Sequence, residues 1–315
     1  MPAKNLDNDD SSLVHGGFIS GSDKPAFAMS PAPNAPVPVL IAVPHAGRDY
    51  PAHVLDSLRE PRFAQLRLED RYVDRLAREV ASAAGVPIIT ARAPRAMLDL
   101  NRARDDVDWG MIAGKSPGEV PHSQANRRSR SGLGLVPRRL PGFGDIWKNH
   151  LTQAELDERI EGIHRPYHAS LAQKLERIRD EWGAALLVDF HSMPPLKRRP
   201  GEHQVARFVL GDRFGASCDG SLTAYALRSL QAQGWPVAHN RPYSGGFVLD
   251  HHSAPNRGIH ALQFEICRST YLDKNLDQPG DGLAPVAALM ATLVRDLGAA
   301  TARLAQRGHY AQAAE

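Results

Sequence analysis

The chain has 315 residues, 42% of them hydrophobic and 23% charged, the balance of a globular protein large enough for one substantial α/β core or two small ones. Its formal net charge of +3 is too mild to suggest a nucleic-acid protein. The two cysteines, Cys218 and Cys267, form no CxxC pair and read as buried free thiols, so neither a thiolate zinc site nor a disulfide framework is indicated.

Residues 1–36 are polar and then rich in Pro and Ala (SPAPNAPVP), which predicts a flexible start. They lack the basic start and apolar run of a signal peptide. No stretch reads as the ~20 apolar residues of a membrane span, so a cytoplasmic protein without a membrane partner is expected. Val37–Val43 is a short apolar run closed by Pro44, a buried strand, followed by the loop PHAGRDYP, where Gly47 allows close backbone approach. Leu66, Val73, Leu76, Val80 and Ala84 mark an amphipathic helix over 63–84, stopped by Gly85. Val86–Ala91 reads as a strand, and 110–145 as loop with a strongly basic stretch, NRRSRSGLGLVPRR, at its centre. Residues 152–182 predict a helix pair or one long helix, with Thr152 and Glu155 at capping-box spacing. Ala184–Phe190 and Val205–Gly211 are strands, 220–234 a helix, Val237–His239 and His260–Cys267 strands, and Leu283–Ala305 a closing helix. Strands alternating with helices predict a single α/β domain over 37–310, a mixed, mainly parallel sheet sandwiched by helices.

Ligands and catalytic groups collect at the carboxyl ends of strands in such sheets. Three ends here carry groups able to bind metal. His45 follows the first strand. Asp189 and His191, two apart in DFHS, point to one side, so the carboxylate can orient the imidazole as a ligand; a His held by a buried hydrogen bond is the alternative. Glu265 lies inside an apolar strand, where burial raises a carboxyl pKa and suits a general base; an ion pair with Arg268 or another arginine is the alternative. Glu69 and Asp70 read either as an acidic first helical turn or as the source of an oxygen ligand. Arg95 and Arg102, with Asn101, either grip a substrate carboxylate or belong to a solvated loop. There is no HExxH and no GxxxxGK[ST].

The blocks VPHAGRDYP, EDRYVDRL, RAPRAMLDLNR, SGLGLVPRR, IHRPYH, LLVDFHSMP, LGDRFGASCD, SGGFV and ALQFEICR resemble, in order over about residues 38–275, those of the N-formylglutamate amidohydrolases. The resemblance implies a zinc carboxypeptidase-like, phosphorylase/hydrolase-like fold and one divalent metal ion, Zn2+, held by His45, Asp70 and His191. It makes Glu265 the base. Asn101 and Arg102 match a pair that holds a substrate carboxylate in carboxypeptidase relatives. The implied substrate is a small anionic N-acyl amino acid, with N-formyl-L-glutamate, cleaved in histidine degradation, the best match. Arg95 or an arginine of the 127–139 loop is expected to take a second carboxylate, with that loop closing as a lid. The chain has Ala46 where the family commonly has Ser, and Glu69–Asp70 where Thr–Asp is usual, so the acidic ligand falls on Asp70 or slides to Glu69. The rivals are a deacylase or exopeptidase with another substrate, a metal-free binding protein on the same scaffold, and a nucleic-acid binder using the basic loop. The small net charge and the lack of interleaved aromatics weigh against the last.

Overall fold

The computed structural model describes residues 13–32, 34–115, 128–198 and 204–312. In chain order the strands are β1 (Val14–Gly16), β2 (Phe27–Met29), β3 (Val39–Val43), β4 (Ile88–Ala91), β5 (Arg139–Leu140), β6 (Gly144–Asp145), β7 (Ala185–Met193), β8 (Phe208–Gly211), β9 (Val237–His239) and β10 (Ile259–Cys267). The helices are α1 (Ala52–Ser57), α2 (Pro61–Leu68), α3 (Val73–Ala84), α4 (Gln153–Arg159), α5 (Arg165–Trp182), α6 (Gly220–Ala232), α7 (Phe247–His252) and α8 (Leu283–Gln312).

Eight strands form one mixed sheet in the order β1-β2-β4-β3-β7-β10-β8-β9, while β5 and β6 make a separate hairpin. Its centre, β4-β3-β7-β10, is parallel throughout. Every residue of β3, β7 and β10 is buried, as expected for strands covered on both faces. On one face Leu186, Val188, Phe190, Leu262, Phe264 and Ile266 join apolar residues of α3, α6 and α8 in a core. The other face begins the same way, with Ala185, Leu187 and Ala261 packed beneath Tyr167, Leu171 and Leu175 of α5. Further along, that face turns polar at Asp189, His191, Gln263 and Glu265, all buried. The pleat therefore aims the charged groups of β7 and β10 into one place, at the carboxyl end of the parallel centre.

Four expectations change. The segment read as a flexible start carries β1 and β2, which extend the sheet by antiparallel pairing onto β4; residues 1–12 lie outside the described residues. The helix expected over 63–84 is two helices, α2 and α3. Asp70 donates its amide to the His45 carbonyl at 2.9 Å and Tyr72 takes a left-handed conformation (φ 54°), which breaks the helix between them. Glu69 and Asp70 thus sit in the break rather than in a helical first turn. The strand expected to end before His191 continues through it to Met193. Finally, α8 is long and apolar enough over Leu283–Gln306 to span a membrane by length and composition (mean hydropathy 1.4). Its apolar side, including Val286, Met290, Val294 and Leu297, instead packs in the core with α3. The stretch 152–182 is continuous helix, with a π-turn at Ile160–His164 joining α4 to α5 and the Thr152–Glu155 capping box formed.

Gly47 shows how tightly the loop after β3 is set. A Cβ there would lie 2.0 Å from the Ala93 carbonyl oxygen and 2.6 Å from that of Arg92. These are backbone atoms that cannot move aside cheaply. Gly47→Ala is expected to destabilise the fold by about 1–3 kcal/mol or more, read as a lower urea midpoint with an unchanged slope; a midpoint equal to wild type would contradict the close approach.

Candidate metal centre

Three elements converge on one point. β3 delivers His45 two residues past its end, the break between α2 and α3 delivers Asp70, and β7 delivers His191. Each residue offers one ligand atom within 4.8 Å of the others, and all three are buried. Asp70 Oδ2 lies 3.0 Å from His191 Nδ1 and 3.6 Å from His45 Nδ1. The two rings stand edge to face, 4.6 Å between centroids. Donors sharing a tetrahedral ion at bonds of ~2 Å stand about 3.3 Å apart, close to the spacing of Asp70 from each ring nitrogen.

The far nitrogen of each ring is held by a carboxylate. His191 Nε2 meets Asp189 Oδ2 at 2.9 Å, the pairing expected from their period-two spacing. His45 Nε2 meets Asp99 Oδ1 at 2.6 Å. With those protons donated outward, as a bound ion would require, both Nδ1 atoms would turn lone pairs toward it beside Asp70. Asp99 stood out in the sequence with Asn101 and Arg102, but its role as the partner of His45 did not. It lies in a loop 54 residues from its partner, with no periodicity to mark it. Only the density of charge in MLDLNR pointed to that region.

Glu265 pairs with His191 across β7 and β10 and is 8% exposed. Its Oε1 accepts from Gln263 Nε2 at 3.1 Å. Arg268, the expected alternative partner, donates instead to Ser192 Oγ, the Leu66 carbonyl and the Glu69 carbonyl, and stands 3.6 Å from Asp70 Oδ1. Burial pushes the Glu265 carboxyl up to about 7, against the pull of His191 and Arg95 and with the push of Asp70. Glu69 does not belong to the cluster: its carboxylate is bonded to Arg71 at 2.6 Å. The acidic member is therefore Asp70.

Asn101 is buried beside the site. Its Oδ1 accepts from the Val248 amide at 2.9 Å, and its Nδ2 is 3.4 Å from both His191 Nε2 and Gln263 Oε1. Arg95 sets its Nε and one terminal nitrogen on Asp99 Oδ2, each at 2.9 Å, and stays 19% exposed. Arg102 is tied to backbone, donating to the carbonyls of Leu133 and Asn101 at 3.0 and 2.7 Å. That contact helps fix the segment expected to act as a lid. Asp99 N donates to the Leu135 carbonyl, Leu135 and Val136 are buried, and Arg138 and Arg139 pair with Asp145, so 128–139 is packed onto the body. Behind Arg102, His164 meets its carbonyl oxygen at 2.9 Å and His168 meets His252 at the same distance; burial holds these imidazoles neutral, with His252 lowered to about 3.

Electrostatics supplies a test of whether a cation fits. Asp70, Asp99, Asp189 and Glu265 are four buried carboxyl groups around two imidazoles, with Arg95 the principal cation at their side. Burial alone would raise Asp70, but hydrogen bonds from His191 and His45 outweigh it and hold the carboxyl below its usual range. Burial would likewise raise Asp99, yet Arg95 and His45 bring it well below. Burial would lower His191, and Asp189 and Asp70 instead drive it well above the usual imidazole value. The lowered Asp70 and Asp99 report the donors and cations that face them, whereas the raised His191 reports the carboxylates around it, negative charge that a divalent ion on one carboxylate and two imidazole nitrogens would offset.

Because Asp99 orients His45, Asp99→Asn is expected to weaken metal binding about 10–100-fold while leaving the fold intact. Competition with a chelating dye measures this, and wild-type affinity in the variant would contradict the orienting role.

A family model for N-formylglutamate amidohydrolase matches residues 37–272. The chain is 32% identical over 240 residues to an N-formylglutamate deformylase of Pseudomonas putida, covering 76% of this chain and 83% of that protein. It is 30% identical over 243 residues to the enzyme of that name from Pseudomonas aeruginosa, with the same coverages. The crystal structure of an N-formylglutamate amidohydrolase from Ralstonia eutropha JMP134 superposes with a TM-score of 0.76 at 29% identity, over 90% of this chain and 99% of that one. The chain belongs to the N-formylglutamate amidohydrolase family.

Proposed function

We propose that this protein is a metal-dependent amidohydrolase that cleaves N-formyl-L-glutamate to formate and L-glutamate. The observation that carries the reading is the convergence of His45, Asp70 and His191 beside the sheltered carboxyl of Glu265. The relatives named N-formylglutamate deformylase support the substrate.

His45, Asp70 and His191 would hold the ion, and zinc suits two imidazoles and a carboxylate. When bound, such an ion polarises an acyl oxygen and makes a water acidic enough to react near neutral pH. The protein's own groups do the rest. Glu265, raised toward neutrality, takes a proton from the attacking water and returns it to the amide nitrogen as the C–N bond breaks. Gln263 holds one Glu265 oxygen, which leaves the other for that proton. Arg95, with its Nε edge braced on Asp99, has a terminal nitrogen left to bind a substrate carboxylate. Arg102 and Asn101, whose hydrogen bonds also fix the loop that carries Asp99 and Arg95, would hold a substrate carboxylate as the resemblance implies.

The working form of Glu265 is the carboxylate. Its pKa of about 7 lies above the ordinary value, so the base is present above that pH and is lost below it. A cation at the triad draws the value down, placing the acid limb at or below about 7. Turnover is expected to fall about tenfold per pH unit on that limb. Glu265→Gln should lower kcat about 10²–10⁴-fold and abolish the limb while metal stays bound. A Glu265→Gln enzyme at near-normal rate, or one that keeps the wild-type acid limb, would remove Glu265 from the role.

A further inference from the structure

A cavity lies at the β9 edge of the sheet. It has a volume of about 890 Å³ and is lined by Leu196, Lys197, Arg198, Trp235, Ala238 and Arg241 among others. That is within the range of small-molecule sites, ~300–1,000 Å³, and far larger than a formyl group fills. Among the described residues lining it, three are cations and none is a carboxylate. Lys197, Arg198 and Arg241 are all exposed.

Strand register connects this cavity to the proposed reaction centre. His191 pairs with Glu265, Glu265 with Val209, and Val209 with Ala238. Residues paired directly across strands share a face. At ~4.8 Å per strand, the row carries the sheet surface from Glu265 to the cavity wall at Ala238 in about 10 Å. The ground between is apolar: Met193, Val209 and Cys267 form a small cluster covered by Leu196, Ala206, Ala238 and Tyr243. Leu196 and Tyr243 are partly exposed above it. Arg95 comes from the loop after β4, on the opposite side of β7 and β10. A substrate whose amino-acid carboxylate rests on Arg95 therefore directs its acyl group toward the cavity.

Resting on the reading of the reaction given above, we infer that the acyl side of the site accepts N-acyl glutamates whose acyl chain ends in a second carboxylate. The methylenes of such a chain lie over Leu196 and Tyr243, and its terminal carboxylate meets Arg241, Lys197 and Arg198. The chemistry is unchanged. The water oxygen bonds to the acyl carbon, the C–N bond breaks, the proton passes through Glu265 to the nitrogen, and the products are the dicarboxylic acid and L-glutamate. N-formylglutamate leaves the cavity unused.

The test compares kcat/KM for N-formyl-, N-adipoyl- and N-hexanoyl-L-glutamate. The last two match in chain length and differ in the terminal carboxylate. Charge-assisted hydrogen bonds correspond to about a 10–100-fold effect, so the adipoyl compound is expected to exceed the hexanoyl one by at least about tenfold. Arg241→Ala should bring that ratio toward one and leave N-formylglutamate turnover unchanged. Lys197→Ala, a truncation at an exposed side chain, is the second variant and should reduce the ratio in the same direction. Equal rates for the two long substrates, or a preference that survives both variants, overturns the inference. Hydrolysis of the adipoyl compound without any of N-formylglutamate overturns the formyl substrate and upholds the cavity's role. No hydrolysis of any of the three overturns both.

Discussion

Four carboxyl groups and two imidazoles occupy a region from which water is nearly excluded, at the end of strands that are otherwise apolar. An isolated buried charge is costly, and several of one sign are more so. The molecule meets this in two layers. Each imidazole receives a carboxylate at its outer nitrogen, Asp99 for His45 and Asp189 for His191, and Arg95 and Arg102 flank Asp99. What is left over is an inward-facing set of Asp70 with two ring nitrogens, where a divalent ion would complete the balance. The remaining architecture can be understood as the means of holding these groups against their mutual repulsion.

The sheet does most of that holding. β7 and β10 lie side by side in parallel register, so His191 and Glu265 are neighbours by backbone pairing alone. β3 lies on the other side of β7 and sends its chain directly into His45. The loop after β3 is fixed in turn by the close passage of Gly47 against Ala93 and by the hydrogen bond from the Asp70 amide to the His45 carbonyl. That last bond joins two of the three inward-facing groups through the backbone. It also explains why the helical stripe of 63–84 is interrupted where it is. A local preference for helix yields to a tertiary contact that the site requires.

Much of this was legible in the sequence, and the reasons differ by element. The runs around β3, β7 and β10 read as strands because burial on both faces makes them continuously apolar, and Asp189, His191 and Glu265 stood out as ionisable residues inside them. Period-two geometry then placed Asp189 with His191 correctly. Asp70 came from family resemblance, since nothing in its own neighbourhood separates a ligand from a helix-dipole acid. The role of Asp99 was hidden because its partner is distant in sequence and it lies in a loop. The strands β1 and β2 were hidden because three-residue strands carry no pattern; pairing with β4 alone makes them strands. The basic stretch was read for its charge, whereas Leu135 and Val136 within it are core residues.

The central claim is that His45, Asp70 and His191 hold one divalent ion on which amide hydrolysis depends. Metal analysis of the purified chain and its variants by mass spectrometry tests it most directly. About one ion per chain is predicted for wild type and for Glu265→Gln, with the ion lost in His45→Ala and in His191→Ala while both remain folded by circular dichroism. Full metal occupancy in folded His45→Ala and His191→Ala, or a wild-type chain that hydrolyses N-formylglutamate at full rate after exhaustive chelation, would contradict the account.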